Sequence, residues 1–546
     1  MQRRQIVGAS LAGLQLAGLA PAQQTAALGV ARVPGLFLVT DYNTHGDGKT
    51  LDTRPIQAAI DACTQSGGGI VFFPPGRYLS GTLVLKDNVV LHLSAGATLL
   101  GSQNTADYPA KPFPALDLDT GGFQVWALIY AENARNAGIE GKGVIDGNGK
   151  PFVPNKPRNP DGSRSYPATA TSIRPRLLFL KGCHNLTLRD VTLRDGGMWM
   201  AHLALCEKAF IDGVSLYSNF FVNQDGIVID SCREVFVRDC YLDTEDDCIV
   251  LKASYPRRCE NVVVSNCICR SRVAAIKFGT QSLGGFRNIS ISNCSFYNCQ
   301  LGGLKFFTVD GGDLEDVTVS NIVMHDVSAP LFFRRGNRGF DFGFQEVTKP
   351  RPVARVRNIQ ISEIRATVTL DPSLRTRKDP LLAGATMGIA GLPGYPVEDI
   401  FLDNINVTFP GGGTLPDAQR TNVPERETAY PENTMFGVLP CYGMYLRHAK
   451  GIVIRNLRLE LAAPDYRPAI VAEDVDGLEI IGLRATVSGK EPLIRLRDTR
   501  AALVEGCRAT APVTALVAVQ KSLENEVVLI ANDPRNLTDG IAVTRD

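Results

Sequence analysis

The sequence has too little of several things to belong to some common classes. Its charge is nearly balanced, 57 basic against 56 acidic residues for a net +1. A surface built to hold nucleic acid would show a basic excess, so no nucleic-acid partner is expected. Only six histidines occur and no paired Cys-x-x-Cys, so no metal site or other cofactor is expected. Beyond the N-terminus no stretch approaches the length of a membrane span. Long helical patterns are also scarce; instead there are 52 glycines and 32 prolines, a composition of many turns. At 546 residues the chain exceeds the usual single core, leaving several domains or an elongated repeat architecture.

The N-terminus carries Arg3 and Arg4 ahead of an apolar stretch from Ile6 to Ala20, then the small–x–small sequence Ala20-Pro21-Ala22. This predicts an export signal over residues 1–22, of the twin-arginine type that passes folded proteins, with a mature start near Gln23 and a periplasmic or secreted destination. After it the reading is an N-terminal segment over 23–40, a single domain over 41–535 and a tail over 536–546. No membrane attachment is expected once the signal is removed, and the oligomeric state is not legible.

Thirteen cysteines in an exported chain suggest disulfides. Their placement points elsewhere. Cys183, Cys206, Cys232 and Cys259 occupy one equivalent position of a repeat, and Cys240, Cys267, Cys294 and Cys507 another. Small thiols stacked in a buried ladder explain this better than bridges do.

The repeat itself decides the architecture. Cys183-His-Asn-Leu-Thr-Leu-Arg-Asp-Val, Cys206-Glu-Lys-Ala-Phe-Ile-Asp-Gly-Val, Cys232-Arg-Glu-Val-Phe-Val-Arg-Asp-Cys and Cys259-Glu-Asn-Val-Val-Val-Ser-Asn-Cys are variants of one pattern, continued from Phe286 and Leu314. Their starts lie 23, 26, 27, 27 and 28 residues apart, with weaker copies near Lys86, Ala134, Val356, Val397, Ala449, Val475 and Thr499. Each holds a short strand with period-two alternation followed by Asn or Asp at a bend. One such coil cannot bury its own apolar face, whereas stacked coils share a continuous core. A period in the mid-twenties without leucine-rich spacing is one coil of a three-sheet parallel β-helix. Residues 53–63 read as a capping helix: Ile56, Ala59, Ile60 and Cys63 recur at helical spacing behind an Asp52/Thr53 N-cap, and Gly67-Gly68-Gly69 ends it. Stretches around 102–125, 150–175, 335–355, 366–394 and 407–440 read as loops inserted between coils, which in solenoids gather on a binding face.

Chemistry is concentrated in Asn223-Gln224-Asp225-Gly226 and Thr244-Glu245-Asp246-Asp247-Cys248. Asp225 and the Asp246-Asp247 pair are about one coil apart, so they should lie on adjacent rungs with backbones about 4.8 Å apart. Three gathered carboxylates repel, which puts an acid beside ionised bases, the division of labour that glycosidic hydrolysis needs. Turn-forming aspartates at coil bends would give the same local pattern.

The ordered series Gly46-Asp-Gly-Lys-Thr-Leu-Asp-Thr53, Gly67-Gly-Gly-Ile-Val-Phe-Phe-Pro-Pro-Gly76, Gly143-Val-Ile-Asp-Gly147, Asn223-Gln-Asp225-Gly and Glu245-Asp-Asp-Cys248 resembles the polygalacturonase family of glycoside hydrolases, family 28. The resemblance spans Asp41 to Thr308. It implies an all-β fold, the right-handed parallel β-helix of the pectin-lyase-like solenoids, and an inverting glycosidase. By resemblance Asp246 is the general acid, while Asp225 and Asp247 activate the attacking water. Inversion needs room for that water, which sets an expected carboxyl separation of about 6.5–9.5 Å.

The chain departs from the family at three places. The segment 273–279, where the family has Gly-His-Gly, holds no histidine; the family's Arg-Ile-Lys corresponds to Lys305-Phe306-Phe307; and Glu245 replaces a glycine. Lys305 is the one cation of that Arg-Ile-Lys segment that remains to hold an acidic sugar, Lys277, Arg334 and Arg335 are candidate stand-ins for the missing one, and Asn223, Trp199 and His202 are candidates to line sugar subsites. The expected substrate is an α-linked, pectin-related or other acidic polysaccharide. Two other readings fit the sequence: a polysaccharide lyase with Asp-bound Ca²⁺ and a Lys277 or Lys305 base, and a non-catalytic glycan-binding β-helix.

Overall fold

The computed structural model describes residues 34–117, 122–152, 173–370, 381–520 and 526–544. The expected export signal, most of the 23–40 segment, and parts of the 150–175 and 366–394 loops lie outside the described residues.

The alternation read from the sequence becomes a wall of stacked strands. In the strand Cys259–Ser265, Val262 and Val264 are buried and Val263 between them is only partly so. Position for position, Val235, Val262, Ile289, Val317, Ile359, Ile400, Ile452, Leu478, Ala502 and Val527 lie in register on successive coils. Each such side chain removed from water contributes about 1.5–3 kcal/mol, and the stack makes these contributions continuous along the axis. All strand pairings of this wall are parallel, and the result is a parallel β-helix. The bends are where Asn and Asp were expected. Asp239, Asn266, Asn293 and Asn321 take left-handed backbone angles that these residues tolerate best. Their side chains bond rung to rung, Asn266 Nδ2 donating to Asp239 Oδ1 at 3.0 Å and Asn321 Nδ2 to Asn293 Oδ1 at 2.8 Å.

The capping helix spans Thr53–Gln65 and buries Ile56, Ala59, Ile60 and Cys63. Asp52 sits at its N-cap position but does not cap it. Its carboxylate instead accepts the backbone N–H groups of His45 and Gly46 at 2.8 and 3.0 Å. At the other end a Cβ on Gly69 would lie 2.2 Å from the Gly35 carbonyl oxygen, so no larger residue fits this turn. The solenoid runs past both expected domain limits: Leu36–Leu38 pairs with the first coil, and Ala542–Thr544 pairs with Val517–Gln520. Among the described residues no helix is long and apolar enough to cross a membrane.

All thirteen cysteines are free and buried. The ladder is literal, with the backbone N–H of Cys206 donating to Cys232 Sγ at 3.3 Å. Burial pushes two of the thiols up, Cys507 to about 11 and Cys441 to about 12.

One sheet is buried on both faces. Its strands Ala201–Ala204, Ile227–Asp230, Ile249–Ala253, Ala274–Ser282, Gly302–Thr308 and Leu331–Arg335 are covered by inserted loops. On the N-terminal side Phe113, in the first strand of the antiparallel hairpin formed in the 102–125 insertion, packs on Phe179, His202 and Tyr255. On the C-terminal side Val423, Phe436, Leu439 and Cys441 of the 410–443 connection pack on Phe307, Phe332, Tyr445 and Val471. The Asp cluster lies between these two covers.

Candidate active site

Register places the carboxylates. Ile227 pairs with Ile249, and Asp225 and Asp247 each stand two residues earlier, so they are equivalent positions of neighbouring rungs. The rungs are locked by Gly226 N–H donating to the Asp247 carbonyl at 2.9 Å. A Cβ on Gly226 would lie 2.4 Å from the Cys248 carbonyl oxygen, so glycine is what lets them approach. Asp246 follows a bend whose geometry is fixed from behind: its carbonyl accepts the hydroxyls of Thr244 at 2.5 Å and Ser271 at 2.6 Å. Gln224 braces the other bend, accepting the N–H groups of Phe220 and Phe221 and donating to the Gly196 carbonyl.

Asp225 and Asp247 are buried and Asp246 is half-buried. One oxygen of each carboxylate lies within 4.8 Å of one from each of the others. These are nearest-oxygen approaches, a shorter measure than the separation of whole carboxyl groups to which the expectation of about 6.5–9.5 Å refers. Asp246 accepts backbone N–H groups from Asn223 at 3.2 Å and Asp247 at 3.0 Å, contacts that would steady its anion after proton transfer. Each member of the other pair has a lysine. Lys277 Nζ donates to Asp247 Oδ2 at 2.8 Å, and Lys252 Nζ lies 3.7 Å from Asp225 Oδ2. Burial works against the Lys277 charge, but Asp247, Tyr430, Asp246 and Glu432 outweigh it and hold its pKa well above the ordinary value. Three carboxylates at this spacing have the chemistry to take a divalent cation. Two ammonium groups already standing on the cluster oppose one.

The other sequence candidates are dispersed. His202 is wholly buried, stacked on Phe179 at 5.0 Å with Nε2 3.5 Å from Asp230, so it offers no face to a sugar. Trp199 is 2% exposed, between Lys252 at 4.4 Å and Arg176 at 4.6 Å from its ring, and is packing rather than a stacking platform. Asn223 turns its side chain to Arg174. Lys305 is wholly buried against Glu432. Arg334 donates to the carbonyls of Gly391 and Glu425 at 2.8 and 2.7 Å, and burial pushes it down to about 10, still a cation at neutral pH. Arg335 holds the Pro396 carbonyl, and Glu245 pairs with Arg272 at 2.9 Å. Of the proposed acid-sugar ligands, only Lys277 joins the carboxylates.

Lys252, Tyr430 and Glu432 were not singled out from the sequence. Tyr430 Oη is 3.3 Å from Lys277 Nζ, across 153 residues of chain. Nothing local marks it. Lys252 was within reach, since it lies two positions past Val250, the register partner of Lys277.

A parallel β-helix with a braced triple-carboxylate cluster on one sheet is the build of a carbohydrate-active enzyme, and the comparisons make that specific. Residues 96–419, more than half of the chain, match the model of glycosyl hydrolases family 28, and the chain belongs to that family. Residues 36–105 match a second model, rhamnogalacturonase A/epimerase, pectate lyase-like. A probable polygalacturonase of Vitis vinifera is 25% identical over 68% of this chain and 73% of its own length. An exo-poly-alpha-D-galacturonosidase of Dickeya chrysanthemi is 28% identical over 54% of this chain and 56% of its own. Among solved structures, an exopolygalacturonase from Thermotoga maritima superposes with a TM-score of 0.58 at 20% identity, covering 78% of this chain and 91% of that one. That likeness identifies the fold as the right-handed parallel β-helix.

Proposed function

We propose that this glycosidase hydrolyses an α-linked, pectin-related acidic polysaccharide, with Asp246 as general acid and Asp225 and Asp247 as the pair that activates water. The observation that carries this reading is the pairing of charges. Lys277 Nζ stands 2.8 Å from Asp247 and Lys252 Nζ 3.7 Å from Asp225, so each proposed base has a cation beside it. Asp246 is the half-buried member of the three, the one that a leaving oxygen can reach, and the general-acid role is given to it on that ground. The names of the relatives, polygalacturonase and exo-poly-alpha-D-galacturonosidase, support the substrate class. Export to the periplasm or medium is part of the same proposal, supported by the N-terminal sequence.

Inversion at the anomeric carbon is the outcome this division of roles supports. The lyase reading loses ground on a specific point. Its base must accept a proton at neutral pH, yet Lys277 is held as a cation and Lys305 has no exposed surface. Incubation with polygalacturonate decides among these readings. Reducing ends without absorbance of unsaturated uronate are expected, with the first-formed anomer read by NMR. Unsaturated product would establish a lyase, and no turnover of any pectic glycan would leave a binding module.

A further inference from the structure

Two buried carboxylates on neighbouring rungs need compensation. Both oxygens of Asp247 are assigned from the next rung. Oδ1 accepts the Ala274 N–H at 3.2 Å, and Oδ2 accepts Lys277 Nζ at 2.8 Å. Lys277 reaches this place because it pairs in register with Val250 on the strand that follows Asp247, so its side chain leaves the same face of the sheet. It is 4% exposed, leaving little surface with which to meet a substrate. On its far side stand groups from the 410–443 connection: Tyr430 Oη at 3.3 Å, and Glu432, which holds Lys305 on the following rung. The ammonium is thus clamped between the carboxylate cluster and an inserted loop. The charged and titratable groups facing it are Asp246 and Asp247 from the bend, Tyr430 and Glu432 from the loop and Lys305 from the neighbouring strand.

We propose that Lys277 is a positioning residue that aims Asp247 and keeps it ionised, rather than a ligand for the acidic sugar. The proposal rests on the role given to Asp247 above. Its test is the pH dependence of kcat/KM on polygalacturonate. Water activation requires a carboxylate anion, which the ammonium 2.8 Å away favours, so removing that cation should move the acid limb of the rate to higher pH. An opposite charge at this range is worth about one to three pH units, so Lys277→Met should shift the acid limb up by that amount. On the acid side this is about a tenfold loss of rate per unit, while KM changes little. Lys277→Arg keeps the charge and should leave the limb in place. An unmoved limb with a sharply raised KM in Lys277→Met would overturn the proposal, since that is the signature of a substrate ligand.

A second measurement stands whether or not polygalacturonate is the substrate. In thermal unfolding of Asp247→Asn, Lys277→Met and the double variant, the double variant should be no less stable than Lys277→Met, because it no longer buries an uncompensated carboxylate. If Lys277→Met does not fold, recovery of folding in the double variant gives the same result. Additive losses would refute the pairing, and an inactive wild type with strong coupling would refute the proposed function while leaving the pair intact.

Discussion

Replacing Asp246 by Asn reads both the chemistry and the proton. If Asp246 is the general acid, it is neutral in the resting enzyme and Asn is close to an isostere. Turnover on the natural glycan should fall about 10²–10⁴-fold, equivalent to about 3–5 kcal/mol of barrier. A substrate with an activated leaving group hardly needs protonation and should recover much of that loss. Stability gives an independent answer. Were Asp246 charged, its repulsion from a carboxylate with an oxygen within 4.8 Å would be about 3.5 kcal/mol for charges at that limit and an effective dielectric of about 20, before screening at this half-buried site. Removing it would then raise the melting temperature visibly, even after one backbone N–H loses its acceptor. A neutral Asp246 predicts little change. The assay is therefore paired: initial rates on polygalacturonate and on an activated glycoside, and thermal unfolding at the same pH. The reasoning is refuted if the variant keeps near-normal turnover, if the activated substrate rescues nothing, or if the protein becomes markedly more stable.

Asp225→Asn and Asp247→Asn should lose comparable activity without rescue by the activated leaving group, because they impair water activation. Gly226→Ala forces a methyl to within 2.4 Å of the Cys248 carbonyl and should cost about 1–3 kcal/mol of stability, with activity falling further as the two rungs part; calorimetry and rates together check it. Because the pKa of Lys277 is raised by folding, its contribution to stability is present below the ordinary lysine value of 10.5 and lost as pH climbs through the folded value. The melting-temperature difference between wild type and Lys277→Met should therefore hold through neutral pH and shrink only in the strongly alkaline range. Thiol titration should find few reactive cysteines in the native protein and most of the thirteen after denaturation, with four or more disulfides by mass spectrometry as the contrary result.

By itself the sequence determined the repeat and everything that follows locally from it. Alternating Val and Ile, Asn at the bends and thiols at equivalent positions all report period, and period sets a solenoid because a coil has no other way to bury its apolar face. The capping helix was legible over 53–63 from its own period, two residues short of its end at Gln65, as was the proximity of Asp225 to the Asp246-Asp247 pair, one coil apart. Two local inferences failed where a side chain had a better partner than its chain neighbours. Asp52 turned back to His45 and Gly46 instead of capping its helix, while His202 sank beneath the Phe113 cover and Trp199 between Arg176 and Lys252 instead of facing a groove.

Tertiary structure alone decided which cations serve the site. Lys277, Lys305 and Arg334 look alike in sequence, each a basic residue in an apolar strand. What separates them is the 410–443 connection, which seals Lys305 with Glu432, uses Arg334 to hold its own backbone, and leaves Lys277 on Asp247 with Tyr430 behind it. Contacts across 153 and 127 residues carry no periodic signal. They depend on how an irregular loop folds over a regular wall, and burial then obliges each charge to take the partner that loop and rung present.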